Sequence, residues 1–186
     1  MEKKDIDWGN LSFAYMQTDQ RYVSNYKDGA WDEGTMTGDA NVVMSECAGV
    51  LQYSQSCFEG LKAYTTEDGR IVTFRPDLNA ERMENSAVRL QMPVFPKERF
   101  LDAVDQVVAA NAAYVPPYGS GATFYLRPYM FGSNPVIGVK PRMNTNSACS
   151  ALLLAPILKA GPNRSPLKSV ITTGRRLTEP GTSKRD

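Results

Sequence analysis

The chain has 186 residues, 42% hydrophobic and 22% charged, with a formal net charge of +1. That is the composition of an ordinary globular protein long enough to bury a core. The charge offers no electrostatic footprint for nucleic acid or a membrane surface, and no apolar run approaches the ~20 residues of a membrane span. Histidine is absent, which excludes His-ligated zinc and Ser-His catalysis.

From the N-terminus, MEKKDIDW has no apolar core behind its lysines and is not expected to be a signal peptide. NLSFAYM then sets Phe13 in an apolar patch before a polar turn. Arg21 to Tyr26 alternates as a strand, Lys27-Asp28-Gly29 turns the chain, and Ala30-Trp31 starts the return. Asp39 to Leu51 reads as strand and loop. Tyr53 and Phe58 flank a small-residue turn ending at Gly60. Leu61 to Tyr64 and Ile71 to Phe74 are strands joined by the hairpin signal Glu67-Asp68-Gly69. Asp77 stands where a helix N-cap belongs, and the helix runs to about Leu90 with Leu78, Met83, Val88 and Leu90 on its inner face. Pro93 and Pro96 break it. A second helix, Lys97 to Tyr114, carries Phe100, Leu101, Val104, Val107, Val108 and Ala112 at helical spacing. Pro116 to Gly121 is a loop and Ala122 to Met130 a strand. Strands interleaved with two helices predict an α/β or α+β domain, a sheet with helices packed on it. The cysteines Cys47, Cys57 and Cys149 are odd in number and irregularly spaced, as expected of reduced thiols in a cytoplasmic protein.

The densest chemistry lies in residues 51 to 90. Arg75 ends a strand beside a helix N-terminus, where its planar fork could pair two phosphate oxygens; an arginine there could equally be a surface ion-pair partner. FEGLKAY, FRPDLNAERM, FYLRPYMFGS and GVKP, in that order, resemble the branched-chain amino acid aminotransferases, pyridoxal 5'-phosphate (PLP) enzymes of fold type IV. The resemblance runs from about Asp7 to Pro141. It implies the smaller N-terminal domain of such an enzyme, with Arg75 binding the cofactor phosphate. Phe13, Tyr53, Phe58 and Tyr125 would line the substrate pocket, and Arg127 would be a pocket-side arginine. Without the resemblance, the rings read as core and Arg127 as an ion-pair partner. The implied reaction moves the amino group of leucine, isoleucine or valine to 2-oxoglutarate. The implied assembly is a homodimer, and no metal, nucleic acid or membrane is called for. Lys62 follows FEGL, but the family's Schiff-base lysine lies further along the chain, so Lys62 reads as structural or exposed.

Residues 142 to 186 are a different kind of sequence. They hold eight Lys and Arg against two acids, and all aromatic residues precede them. A folded domain rarely loses every aromatic over such a length. Lys168 to Asp186 can be encoded so that starting one base earlier gives QVSDYDRAAPHGTGHIKAG, which resembles the family's GTGHIKAGLNYA segment carrying the catalytic lysine. The same shift turns residues 142 to 164 into PDEYQFRMLCAPAGPYFKGGAKP, similar to the family's continuation beyond GVKP. The expected organisation is therefore an aminotransferase N-terminal domain over 1–141 and a frameshifted tail over 142–186. No catalytic lysine is assigned, and activity of this chain is not expected. Within the tail, Ser150 to Leu158 alone is apolar enough to pair as a strand or helix, and 161–186 should lack stable packing. For the tail, the alternative is a natural basic disordered segment; for the function, it is a non-catalytic domain that docks on a full-length subunit.

Overall fold

A computed structural model describes residues 3–9, 11, 16–135 and 137, together with the backbone of 150–160. Phe13, the end of the resemblance at Pro141, and residues 161–186 lie outside them.

The fold is built on one sheet. Strand β1 (Arg21–Lys27) turns through Asp28 and Gly29 into β2 (Ala30–Trp31). Both turn residues have positive φ, 53° and 88°, the two-residue hairpin geometry whose twist matches its strands. Strand β3 (Thr35–Thr37) then folds back on the first half of β1, pairing Val23 with Thr35 and Arg21 with Thr37. Asp32 sits between the two pairings, accepting hydrogen bonds from Ser24 Oγ at 2.8 Å, Asn25 N at 3.0 Å and Gly34 N at 3.0 Å. Burial alone would raise the Asp32 carboxyl, but these bonds outweigh it and hold the group below its usual range.

Residues 38–45 form no strand, contrary to the expectation for Asp39 to Leu51. The Asp39 carboxylate accepts from Asn41 N at 2.9 Å, a local bond that competes with a sheet ladder, and Val43 is left 97% exposed. A short helix, α1 (Gly49–Tyr53), follows. Strand β4 (Ser56–Phe58), the hairpin β5 (Leu61–Thr65) and β6 (Ile71–Thr73), and helix α2 (Pro76–Arg89) come next. Helix α2 starts at Pro76, a residue suited to the first helical position, with Arg75 left-handed at the cap (φ 47°, ψ 50°). Asp77 is therefore in the first turn and does not cap. Met83 is buried, whereas Val88, expected on the inner face, is 59% exposed. Helix α3 (Lys97–Ala110) ends in a 3-10 turn (Ala112–Tyr114) and buries Phe100, Val104, Val107 and Val108. Strand β7 (Ala122–Gly132) and strand β8 (Ser150–Ala160) complete the sheet.

Every pairing among the described residues is antiparallel, in the order β2-β1-β8-β7-β5-β6, with β3 on β1 and β4 on β7. This is the α+β form of the expected class. Strand β8 pairs with β7 over its whole length and with β1 from Tyr22 to Tyr26, and so joins the two halves of the sheet. Tyr22, Leu61, Ala63, Phe124, Leu126 and Met130 share one core cluster with residues of α2 and α3, which fixes the face the helices cover. Full burial of such side chains is worth roughly 1.5–3 kcal/mol each. Arg99 on α3 donates to Tyr22 Oη, Ser24 Oγ and Asp32 O. Asn111 brackets Gln20, its Oδ1 accepting from the amide and its Nδ2 donating to the carbonyl. These bonds anchor β1 to the helix layer.

Candidate active-site face

Strand parity and register place Phe58, Tyr125 and Arg127 on the face the helices leave open. Phe124, Leu126 and Met130 of β7 point into the core, so Tyr125, Arg127 and Tyr129 point away from it. Register puts Lys62 opposite Tyr125 and Phe58 opposite Tyr129. The Arg127 guanidinium carbon lies 4.6 Å from the Phe58 ring centroid and 5.4 Å from that of Tyr125, within cation–π range. Arg127 Nη2 donates to Tyr125 Oη at 3.2 Å. Its Nε is buried with no hydrogen-bond partner. Among the described residues Arg127 makes no ion pair, so aromatic faces hold this cation in place of a carboxylate. Tyr129 stacks on Phe131 with centroids 6.0 Å apart. Further along the same face, Val23, Thr35, Asp39, Asn41 and Phe131 line a depression of about 360 Å³.

Arg75 lies at the start of α2 and donates from Nε and Nη2 to the two Asp77 carboxylate oxygens, at 3.1 and 3.0 Å. The pair holds the Asp77 carboxyl below its usual range. One helical turn on, Asn79 Nδ2 donates to Glu59 Oε2 at 2.8 Å and to Gly60 O at 3.1 Å. Arg82 Nε and Nη2 grip the same carboxylate at 3.1 and 2.7 Å. Gly60 in turn lies against Tyr125: a Cβ on it would stand 2.5 Å from Tyr125 Oη. A chain of direct contacts thus leads from the helix that Arg75 precedes to the Tyr125–Arg127 pair.

Phe58, Tyr125 and Arg127 are brought together, with Phe58 63% exposed at the open side. Tyr53 ends α1, just before β4, and is 43% exposed. Glu59, Gly60, Asn79, Arg82, Lys62 and Tyr129 belong to this region without having been singled out in the sequence as site residues. Asn79 and Arg82 are spaced to share a helix face, but their common partner Glu59 is a strand and a hairpin away. Burial pushes the Cys57 thiol up to about 11, as expected of an unreactive structural cysteine. Among the described residues no group of three or more His, Cys, Asp or Glu could hold a metal ion, and no helix is long and apolar enough to cross a membrane.

The fold is that of the N-terminal domain of fold type IV branched-chain aminotransferases. A crystal structure of the Escherichia coli branched-chain amino acid aminotransferase superposes with a TM-score of 0.55 at 23% identity, covering 75% of this chain and 39% of that one. The branched-chain aminotransferase of the thermophilic archaeon Thermoproteus uzoniensis, solved with norvaline, gives 0.52 at 23% identity, covering 73% and 40%. In sequence, the chain is related to the N-terminal part of branched-chain-amino-acid aminotransferases. The Haemophilus influenzae protein of that name is 53% identical over 137 residues, 74% of this chain and 40% of that protein. The Helicobacter pylori one is 37% identical over 179 residues, 96% of this chain and 53% of that protein. The chain therefore spans about two-fifths to half the length of these curated relatives. No protein-family profile matches it.

Arg75 is the residue that the phosphate of a pyridoxal cofactor would meet at this end of α2. The second terminal nitrogen of Arg75 lies outside the Asp77 pair and is the donor an anion would meet there, whereas Pro76 has no N–H, Leu78 N donates to Arg75 O at 3.1 Å, and the Asp77 carboxylate occupies the first turn.

Proposed function

We propose that residues 1–141 are the N-terminal domain of a branched-chain aminotransferase. The intact enzyme would move the amino group of leucine, isoleucine or valine to 2-oxoglutarate with PLP, which when bound supplies the electron sink for amino transfer. The observation that carries the reading is the Phe58–Arg127–Tyr125 face, in a chain whose match to a protein of that name is 53% identical over 137 residues. Arg75 would hold the cofactor phosphate. Phe13, Tyr53, Phe58 and Tyr125 would give a branched aliphatic side chain its apolar wall and keep water from it. Arg127 would supply the positive charge that a substrate carboxylate needs. The cytoplasm is the compartment proposed, from the reduced cysteines, and a homodimer the assembly.

Residues 142–186 are, in this reading, translated out of frame. The support is the recovery of family-like segments on a one-base shift, and the 137-residue length of the Haemophilus influenzae match, close to that of the proposed domain. The Helicobacter pylori match extends through most of the chain and favours the competing reading, in which this tail is in frame. The non-catalytic alternative draws on the exposure of Leu51, Tyr53 and Phe58, an apolar set that a full-length subunit could cover. Co-elution of the two in size-exclusion chromatography would support it.

The test is to incubate the purified 186-residue chain with PLP, leucine and 2-oxoglutarate. Neither a lysine-dependent absorbance band nor leucine-dependent glutamate formation is expected, because the proton-shuttling lysine lies in the shifted frame and Lys184 lacks its surroundings. Both signals together would overturn the reading. Resequencing the codons for Val139 to Asn144 decides the frame separately.

A further inference from the structure

We propose that Glu59, Asn79 and Arg82 form a positioning clamp that sets the distance between helix α2 and the Tyr125–Arg127 pair, and so the shape of the open face. The inference rests on reading that face as a pocket wall only for its purpose. The clamp itself stands on geometry.

Glu59 is tied to both layers. Its amide donates to Pro128 O of β7 at 2.8 Å, while its carboxylate receives Asn79 Nδ2 and both arms of the Arg82 fork. The carboxylate side chain is 11% exposed although Arg82 is 56% exposed, so the acid is sunk between the layers and the arginine reaches in from outside. A largely buried carboxylate needs charged and hydrogen-bonding partners, and here they all come from one face of α2. Asn79, itself buried, spends its second contact on Gly60 O at 3.1 Å, which fixes the backbone at a position where a side chain could not fit. A Cβ on Gly60 would lie 2.5, 3.0 and 3.1 Å from Tyr125 Oη, Cε2 and Cζ. The Tyr125 ring therefore rests on bare backbone that α2 holds in place. Its hydroxyl accepts Arg127 Nη2, and Arg127 lies over Phe58, the residue before Glu59. The circuit is closed, and moving the clamp moves the aromatic–arginine pair.

Labelling with phenylglyoxal, read by mass spectrometry on the 186-residue chain, tests this without cofactor or activity. The measured quantity is the rate at Arg127 relative to Arg99, which lies on α3 in a separate network. Asn79→Ala should raise that ratio about thirtyfold, the change in a local opening equilibrium expected when two typical hydrogen bonds are lost. Glu59→Gln, nearly isosteric, should raise it in the same direction and serves if Asn79→Ala does not fold. In a Tyr125→Phe background the effect of either variant should shrink toward onefold, because the hydroxyl linking the clamp to Arg127 is gone. A general structural role predicts equal gains at Arg99 and Arg127. An unchanged ratio, or the same gain in the Tyr125→Phe background, would overturn the clamp.

Discussion

Asn111→Ala tests how the sheet is fixed to its helices. Asn111 is fully buried. Its side chain accepts from Gln20 N at 3.1 Å and donates to Gln20 O at 2.8 Å and Val107 O at 2.7 Å. Gln20 immediately precedes β1, so these bonds set where the strand enters the sheet. A typical hydrogen bond contributes ~1 kcal/mol net, and orphaning partly buried groups adds to that, so truncation should cost about 3 kcal/mol. With a urea slope of ~2 kcal/mol/M for a small domain, the midpoint should fall by roughly 1.5 M. Asn111→Asp keeps the shape but turns the amide donor into a carboxylate oxygen facing two carbonyls. At neutral pH it should be at least as damaging, and it should recover in part on acidification as the acid takes up a proton. A midpoint shift below ~0.5 M for Asn111→Ala would refute the idea that this residue anchors β1.

Val104 and Val88 make a matched pair of valines on neighbouring helices. Val104→Ala, in the fully buried core, should cost about 2 kcal/mol, while Val88→Ala on the solvent side should stay within ~0.5 kcal/mol; equal losses in denaturant would contradict the packing. Cys57, its thiol raised from 9.0 to about 11, should hold about a hundredfold less thiolate at pH 8 than an unperturbed thiol of that ordinary value, and should react correspondingly slowly with a disulfide reagent. Because the native state keeps its proton longer than the unfolded state, this contribution to stability is complete below about pH 9 and is lost as pH rises from 9 to 11. Thermal melts across that range should decline more steeply for the native chain than for Cys57→Ala.

Local signals fixed much of the architecture in advance. Helix α3 was legible because Phe100, Val104, Val107 and Val108 repeat at the helical period, and that stripe is the face it buries. The β1–β2 hairpin was legible from Asp28-Gly29, residues that tolerate the left-handed φ a two-residue loop demands. Where sequence expectation failed, a local competitor was at work. Asp39 bonding its own neighbour displaced a strand, and Pro76 rather than Asp77 opened α2.

The sequence alone determined that there are strands, two amphipathic helices and a run of motifs shared with aminotransferases, because periodicity, turn chemistry and motif identity are properties of neighbours along the chain. Only the tertiary structure decided which side of the sheet those motifs face. Parity along β7 sends Phe124 and Leu126 to the helices and Tyr125 and Arg127 to the open face, but which set is buried depends on where the helices pack. The same holds for the carboxylate of Glu59, reached by Asn79 and Arg82 from another element, and for β8, which joins β1 to β7 across more than a hundred residues of chain. Such contacts pair residues far apart in sequence, and packing creates them by closing the loops between them and burying their shared surface.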